Sequence, residues 1–320
     1  MPLPFHAISF DDLPLLRKYL PFYGNGDCNL SIASLLTRGP ERGTELCELH
    51  NHLLVKWRAE GFEEPVLQFP IGCCVGVDLI HEIEAALSEE GESLRLYGSV
   101  PELLLWVQKL MPERSFVVTS ASAGWDYLYR RDTFATLEGR PMAKKRNFTR
   151  RYHAANPNAT FVPLSDETMQ LLKAFLSEWY EAEGEMTKSL LEERAAIETA
   201  LEHREALNLS GGLLMSEGRV DGFTYGTLVA KDIFAVHIEK SPTRRNRRLS
   251  GALERLCEIT PRRRRVPQSR RRHRNSRTQK SKTRLDALRH DPKGRRRNRP
   301  RQLRHNKRSS GQNFQIFPVF

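Results

Sequence analysis

The sequence predicts an α/β protein with mixed sheets, and three observations carry that reading. Strand-like segments alternate with amphipathic helical ones through the first 240 residues, a pattern that separates α/β folds from helical bundles. That region closes on a three-stranded meander at residues 211–240, GGLLMSEGRVDGFTYGTLVAKDIFAVHIEK. The charge then changes sign: residues 1–240 carry −11 and residues 241–320 carry +23, giving +12 for the chain. The expected organisation is a first α/β half over 1–139, a second over 140–240, and a basic, disordered tail over 241–320.

The elements are justified in chain order. Ser9, with Asp11 and Asp12 behind it, reads as a helix N-cap ahead of Leu13, Leu16 and Leu20 at helical spacing. Segments 45–49 and 52–57 read as a hairpin around His50-Asn51, and 66–71 as a further strand. Residues 77–87 place Val77, Ile80, Ile83, Ala86 and Leu87 on one helical face. A strand is expected at 94–97. A helix runs from Pro101, which suits a first turn, to Met111, and a strand follows at 115–119. Lys144 opens a polar helix to about Ala155, and 161–164 is a short strand. Asp166 is expected to cap a helix carrying Met169, Leu172, Phe175, Leu176 and Trp179, with another helix over 190–207. In the meander, Glu217-Gly218 and residues 230–232 are the turns. Along its last strand Phe234, Val236 and Ile238 alternate with Ala235, His237 and Glu239, giving one apolar and one chemical face.

Composition excludes several classes. The five cysteines are odd in number, lack CxxC metal-ligand spacing, and read as free thiols of a reducing compartment; the vicinal pair Cys73-Cys74 does not easily bridge itself. No metal site is expected. The N-terminal MPLPFHAISFDD lacks the basic and apolar regions of a signal peptide, and no apolar run reaches the ~18–20 residues of a membrane span. A soluble, cytoplasmic protein is therefore expected. The chain contains neither a P-loop nor GxSxG, and nothing beyond residue type marks Cys73 or Cys74 as a nucleophile.

Three segments, in order and spacing, resemble one bacterial family: DYLYRRDTFATLEGRPMAKKRNFTRRY, LLEERAAIETALEHREALNLSGGLL and FAVHIEK. That family is related to the C-terminal domain of phosphatidylglycerol lysyltransferases, and the resemblance covers about residues 5–240. It implies tandem acyl-CoA N-acyltransferase (GNAT)-like domains, the second incomplete here, and an acyl- or aminoacyl-transferase ancestry. Aminoacyl-tRNA and acyl-CoA are the donors it brings to mind. In a GNAT core the strand matching residues 233–238 splays from its neighbour. Its free backbone groups and the next helix N-terminus then hold an anionic donor. His237-Ile238-Glu239-Lys240 match the family pattern, and the residues after them depart from it.

The residues themselves leave two readings open at each position. His237 and Glu239, two apart on a strand, form either a base with its orienting carboxylate or a solvent-facing strand end. Lys240 is either an anion ligand or a surface lysine. Lys144, Lys145, Arg146 and Asn147 bind phosphate or the acceptor arm of transfer RNA, or else form a solvated helix face.

Residues 241–320 contain RRNRR, PRRRR, SRRRHR and GRRRNRPR. Read directly, this tail is disordered and binds nucleic acid or anionic lipid with strong salt dependence, the basis of a non-catalytic alternative function. A second reading comes from the genetic code. Shifted by one base, degenerate codons for residues 266–283 permit YLNREDDIGIAGLRKAKL, close to how the resembled family continues. A one-base shift near codons 240–243 is therefore expected to have replaced the family's C-terminal part.

Overall fold

Two hairpins seed the two sheets. Strands β2 (Glu45–Leu49) and β3 (His52–Trp57) pair antiparallel through a turn whose central residues, His50 and Asn51, have φ of 47° and 58°. β9 (Ser210–Ser216) and β10 (Arg219–Ala230) are joined the same way by Glu217 and Gly218 at φ 50° and 75°. Two successive left-handed residues make the two-residue turn whose twist matches that of paired strands. The computed structural model describes residues 2–23, 26–58, 65–98, 105–106, 108–113, 127–241 and 314–317. The strand expected at 115–119 and nearly all of the tail lie outside these residues.

The first sheet adds β1 (His6–Ala7), β4 (Val66–Gln68), β5 (Ile71–Gly72) and β6 (Leu96–Tyr97), in the order β1-β2-β3-β4-β6 with β5 also on β3. The single strand expected over 66–71 is two short ones. Pro70 has no N–H to give a ladder, so pairing stops and resumes on either side of it. The second sheet adds β7 (Tyr127–Arg130), β8 (Thr160–Pro163), β11 (Ile233–Lys240) and β12 (Phe314–Phe317), in the order β7-β12-β11-β10-β9-β8. β12 comes from the segment expected to be tail. It runs parallel to β11 and antiparallel to β7.

The described helices of regular length are α1 (Leu13–Tyr23), α2 (Ile32–Arg38), α3 (Val77–Glu89), α4 (Arg131–Thr136), α5 (Ala143–Ala155), α6 (Asp166–Glu183) and α7 (Lys188–Glu202). Ser9 and Asp12 form a reciprocal capping box ahead of α1. Ser165, rather than Asp166, caps α6, accepting from the Thr168 N–H and leaving Asp166 in the first turn. The helix expected over 190–207 stops at Glu202. Residues 105–106 and 108–110 are helical, as expected within 101–111.

One apolar core lies between the sheets. Leu46, Leu53 and Val55 of the first sheet and Leu213, Phe223, Tyr225 and Ile238 of the second share it with Leu16 and Leu20 of α1, Leu35 and Leu36 of α2, Leu172 and Phe175 of α6, and Ile197 and Leu201 of α7. Helix α3 covers the outer face of the first sheet through Leu79, Ile83 and Leu87. The outer face of the second sheet receives Phe134, Leu137 and Met142 against Phe234 and Val236, and Tyr152 of α5 against Leu214. Tyr152 also donates a buried hydrogen bond to Asp221 at 2.9 Å, which fastens α5 to β10. Each sheet thus has one face on a common helical layer and one under its own helices.

Candidate functional site

The candidate site is built on β11, and its geometry turns on one irregularity. Tyr225 pairs with Ile238, but the next residue of β10, Gly226, pairs with Val236. His237 is the extra residue of a β-bulge. A bulge resets the alternation of side chains, so the expected pairing of His237 with Glu239 is not formed. His237 and Ile238 lie on the face of Tyr225 and Thr227, toward the shared core. Glu239 falls on the opposite face with Phe234 and Val236, under α4 and α5. Gly226 is required at the crossing. A Cβ there would meet the Ala235 carbonyl oxygen at 2.1 Å and the Phe234 ring at 2.6 Å.

On the inner face, His237 Nε2 lies 2.7 Å from Thr227 Oγ1, and its ring is 6.2 Å from that of Tyr225. Burial, with the nearby Arg38 guanidinium adding to it, pushes the imidazole down to about 3. Burial likewise raises the Tyr225 phenol, which Arg38 partly offsets. Arg38, the last residue of α2, thus acts on both groups through its charge, an influence that pattern reading missed. Only the packing of α2 across the sheet brings it to β11.

On the outer face, Glu239 Oε1 is buried with no hydrogen-bond partner among the described residues. Burial pushes its carboxyl up to about 8, opposed by the Lys145 charge. Lys145 also lies over the Phe134 ring at 5.7 Å. Its neighbours in the motif do different things. Lys144 and Asn147 are exposed. Arg146 donates through Nη1 to the carbonyl of Leu137 and, at 3.3 Å, to that of Gly139, clamping the turn that precedes α5.

Lys240 sits at the strand end but faces inward. It is 8% exposed, its ammonium donates to Glu193 of α7, and it lies 3.7 Å from the Trp179 ring centroid and 5.7 Å from that of Tyr180. Tyr180 donates to the same Glu193 carboxylate at 3.4 Å, and Trp179 donates from its indole to the Ser241 carbonyl at 2.7 Å. This cluster closes the inner end of β11.

The two shifted groups on β11 give a pH signature. Between 4.5, the ordinary carboxyl value, and about 8, the folded state holds the Glu239 proton that the unfolded chain releases, so stability falls as pH rises through that window. Between about 3 and the ordinary 6.5, the unfolded chain takes up a proton that folded His237 refuses, so stability falls as pH drops. The two slopes oppose each other from 4.5 to 6.5. Urea unfolding across pH should show Glu239→Gln removing the loss from pH 6.5 to 8, and His237→Gln removing the loss below pH 4.5. Each effect is at most ~2 kcal/mol across its window. Unchanged slopes in both variants would refute the assignment.

The edge of β11 beyond the bulge is also distinctive. β12 pairs with Ile233, Phe234 and Ala235 but with nothing further along β11. Among the described residues, the backbone from Val236 to Lys240 thus has β10 on one side and no strand on the other. No described helix is long and apolar enough to cross a membrane, and no group of three or more His, Cys, Asp or Glu among the described residues is placed to hold a metal ion.

Residues 21–257 match the family model described as phosphatidylglycerol lysyltransferase, C-terminal. A crystal structure of a conserved protein of unknown function from Bacteroides thetaiotaomicron superposes with a TM-score of 0.74 at 24% identity, covering 81% of this chain and 87% of that one. The structure of L-PGS from Bacillus licheniformis matches with a TM-score of 0.48 at 16% identity, covering 78% of this chain and 71% of that one. No curated protein matches the chain.

Proposed function

Because this chain belongs to the phosphatidylglycerol lysyltransferase C-terminal family, with its mixed-sheet GNAT-like fold, we propose that its core is that of an acyl- or aminoacyl-transferase. The reaction moves an acyl group from an ester or thioester donor, aminoacyl-tRNA or acyl-CoA, onto an amine or hydroxyl. The observation that carries this reading is Glu239. A carboxyl with one buried oxygen that has no hydrogen-bond partner among the described residues, pushed up to about 8 on a strand whose edge no described strand covers there, suits a general base for the attacking group. His237, held neutral far below its ordinary range, is a poor base at neutral pH and serves as a hydrogen-bonding group. The proton of the attacking amine or hydroxyl passes to Glu239 as its nitrogen or oxygen bonds to the acyl carbon. The donor's oxygen or sulfur then leaves, taking that proton from Glu239 and returning the carboxylate. Lys144, Lys145 and Asn147 meet donor phosphates on the outer face. Arg146 and Lys240, whose charges are already engaged, hold the scaffold of the site.

The family match also refines the reading of the tail. It extends in the present frame to Cys257, and degenerate codons permit a family-like run in the alternative frame from Val266. We place the change of frame between those residues rather than at codons 240–243. The coding DNA over this interval, read in all frames, tests that directly.

A second reading, non-catalytic binding of polyanions by the basic tail, is favoured by the +23 charge of residues 241–320. Salt dependence separates the two. Charge reversal at Lys144, Lys145, Arg150 and Arg151 on α5 is expected to weaken transfer-RNA binding and to lower the slope of log K against log salt by ~1 per lost phosphate contact. An unchanged slope in the reversed variant would assign binding to the tail.

A further inference from the structure

Cys73 and Cys74 follow β5 directly on the first sheet, away from β11. Both are exposed, and their Sγ atoms are 3.0 Å apart. Cys74 has φ 60°, a left-handed conformation uncommon for any residue but glycine. The turn is held there from both sides. His52 Nε2 lies 2.9 Å from the Cys73 carbonyl oxygen, and the Trp106 indole N–H donates to the Val75 carbonyl at 3.0 Å. His52 is itself buried, its Nδ1 2.8 Å from the His50 carbonyl oxygen. Gly72 packs so closely on it that an added Cβ would lie 2.5 Å from the imidazole. The backbone thus presents two exposed thiols on adjacent residues of a turn held from both sides.

The sulfur separation decides what such a pair can hold. At 3.0 Å it is well beyond the ~2.05 Å of a disulfide bond. Adjacent Cα atoms, ~3.8 Å apart, are closer than the ~4.4 Å lower limit of ordinary disulfides, so a bridge here would be strained and readily reduced. Two sulfurs bonded to one larger atom fit better. With bonds of ~2.3 Å, as for zinc thiolates, a 3.0 Å separation subtends about 80° at the centre. That angle is too acute for a tetrahedral ion and suits a pyramidal trivalent centre, whose bonds stand near right angles. A trivalent centre that brings its own third substituent needs no further ligand from the protein.

We propose that Cys73 and Cys74 form a two-thiol chelating site for a trivalent thiophilic centre, with an organic arsenic(III) compound as its probe. The step is a double substitution. Each thiol sulfur bonds to arsenic in place of a hydroxide, two As–S bonds replace two As–O bonds, and the thiol protons leave with the hydroxides as two waters. No atom changes oxidation state.

The test is intact-mass spectrometry of the full chain with one equivalent of phenylarsine oxide. One adduct per chain is expected, resistant to excess monothiol and removed by a small dithiol. Cys73→Ser and Cys74→Ser should each retain the adduct about two orders of magnitude less well, as when two tethered ligands become one. Peptide mapping of the unsubstituted protein should find the arsenic on the peptide holding both residues, a readout that requires no variant to fold. A monothiol-resistant adduct that persists in Cys73→Ser, or one that maps to Cys28, Cys47 or Cys257, would overturn the proposal.

Discussion

Replacing Lys240 by alanine is expected to lower the unfolding free energy by ~3–5 kcal/mol, the cost of stranding one charge of a buried ion pair. The Glu193 carboxylate would keep only the Tyr180 hydroxyl as a donor, and the cation would be lost from the Trp179 face. Glu193→Ala should cost a similar amount by stranding the ammonium. The double change Lys240→Met with Glu193→Leu should recover most of the loss, because an apolar pair avoids the desolvation that the ion pair must overcome. Denaturant titration of the wild type, the two single alanine variants and the Lys240→Ala/Glu193→Ala double measures this coupling as a double-mutant cycle. Additive losses would show that Lys240 is not held by Glu193. A free anion-binding lysine at the strand end would give only a few tenths of a kcal/mol, as exposed charges do.

Much of the fold was legible because local signals agreed with tertiary need. The His50-Asn51 and Glu217-Gly218 turns, the capping serine at Ser9 and the apolar face of α3 were all readable from residue type and spacing. Helix α2 and strand β7 were not recognised. The first is only seven residues long and the second only four, too short for a periodic signal, and packing alone stabilises them.

The site was legible in residue type but not in arrangement. Period-two alternation put His237 and Glu239 on one face, and a single bulged residue undid it. No sequence rule marks that bulge apart from Gly226 on the neighbouring strand, whose missing Cβ makes room for it. Lys240 was visible, but its pairing with Glu193 across 47 positions depends on how α7 packs, which spacing does not reveal. The tail shows the converse limit. Its charge predicted no structure, and Phe314–Phe317 nonetheless forms β12, where an alternating apolar segment meets the open edge of β11.

Restoring the alternative frame after Cys257 is expected to produce the largest functional change, from little or no acyl transfer in the present chain to measurable turnover. A GNAT-type donor needs a free strand edge, and among the described residues no strand pairs with β11 beyond Ala235 on the side of β12. It also needs a helix N-terminus just after the strand, where backbone N–H groups and the helix dipole meet donor phosphates. Both chains share the stretch just after Lys240, but beyond Cys257 the present chain runs into PRRRR, SRRRHR and GRRRNRPR in place of the last strands and helix expected to complete the second half and hold that stretch in place. Side-chain cations attract a donor without orienting it, and catalysis depends on orientation and on preorganised charge. Calorimetry with acyl-CoA and with aminoacyl-tRNA should therefore give weak binding to the present chain and stoichiometric binding to the restored one. The titrations belong at high salt, where loose phosphate contacts are lost. In the restored protein Glu239→Gln should lower kcat by ~10²–10⁴, the usual contribution of a general base. Its KM should change little, since the carboxyl is assigned to proton transfer rather than to donor binding. Tight, stoichiometric donor binding by the present chain, equal to that of the restored one, would show that the basic tail does not disable the site.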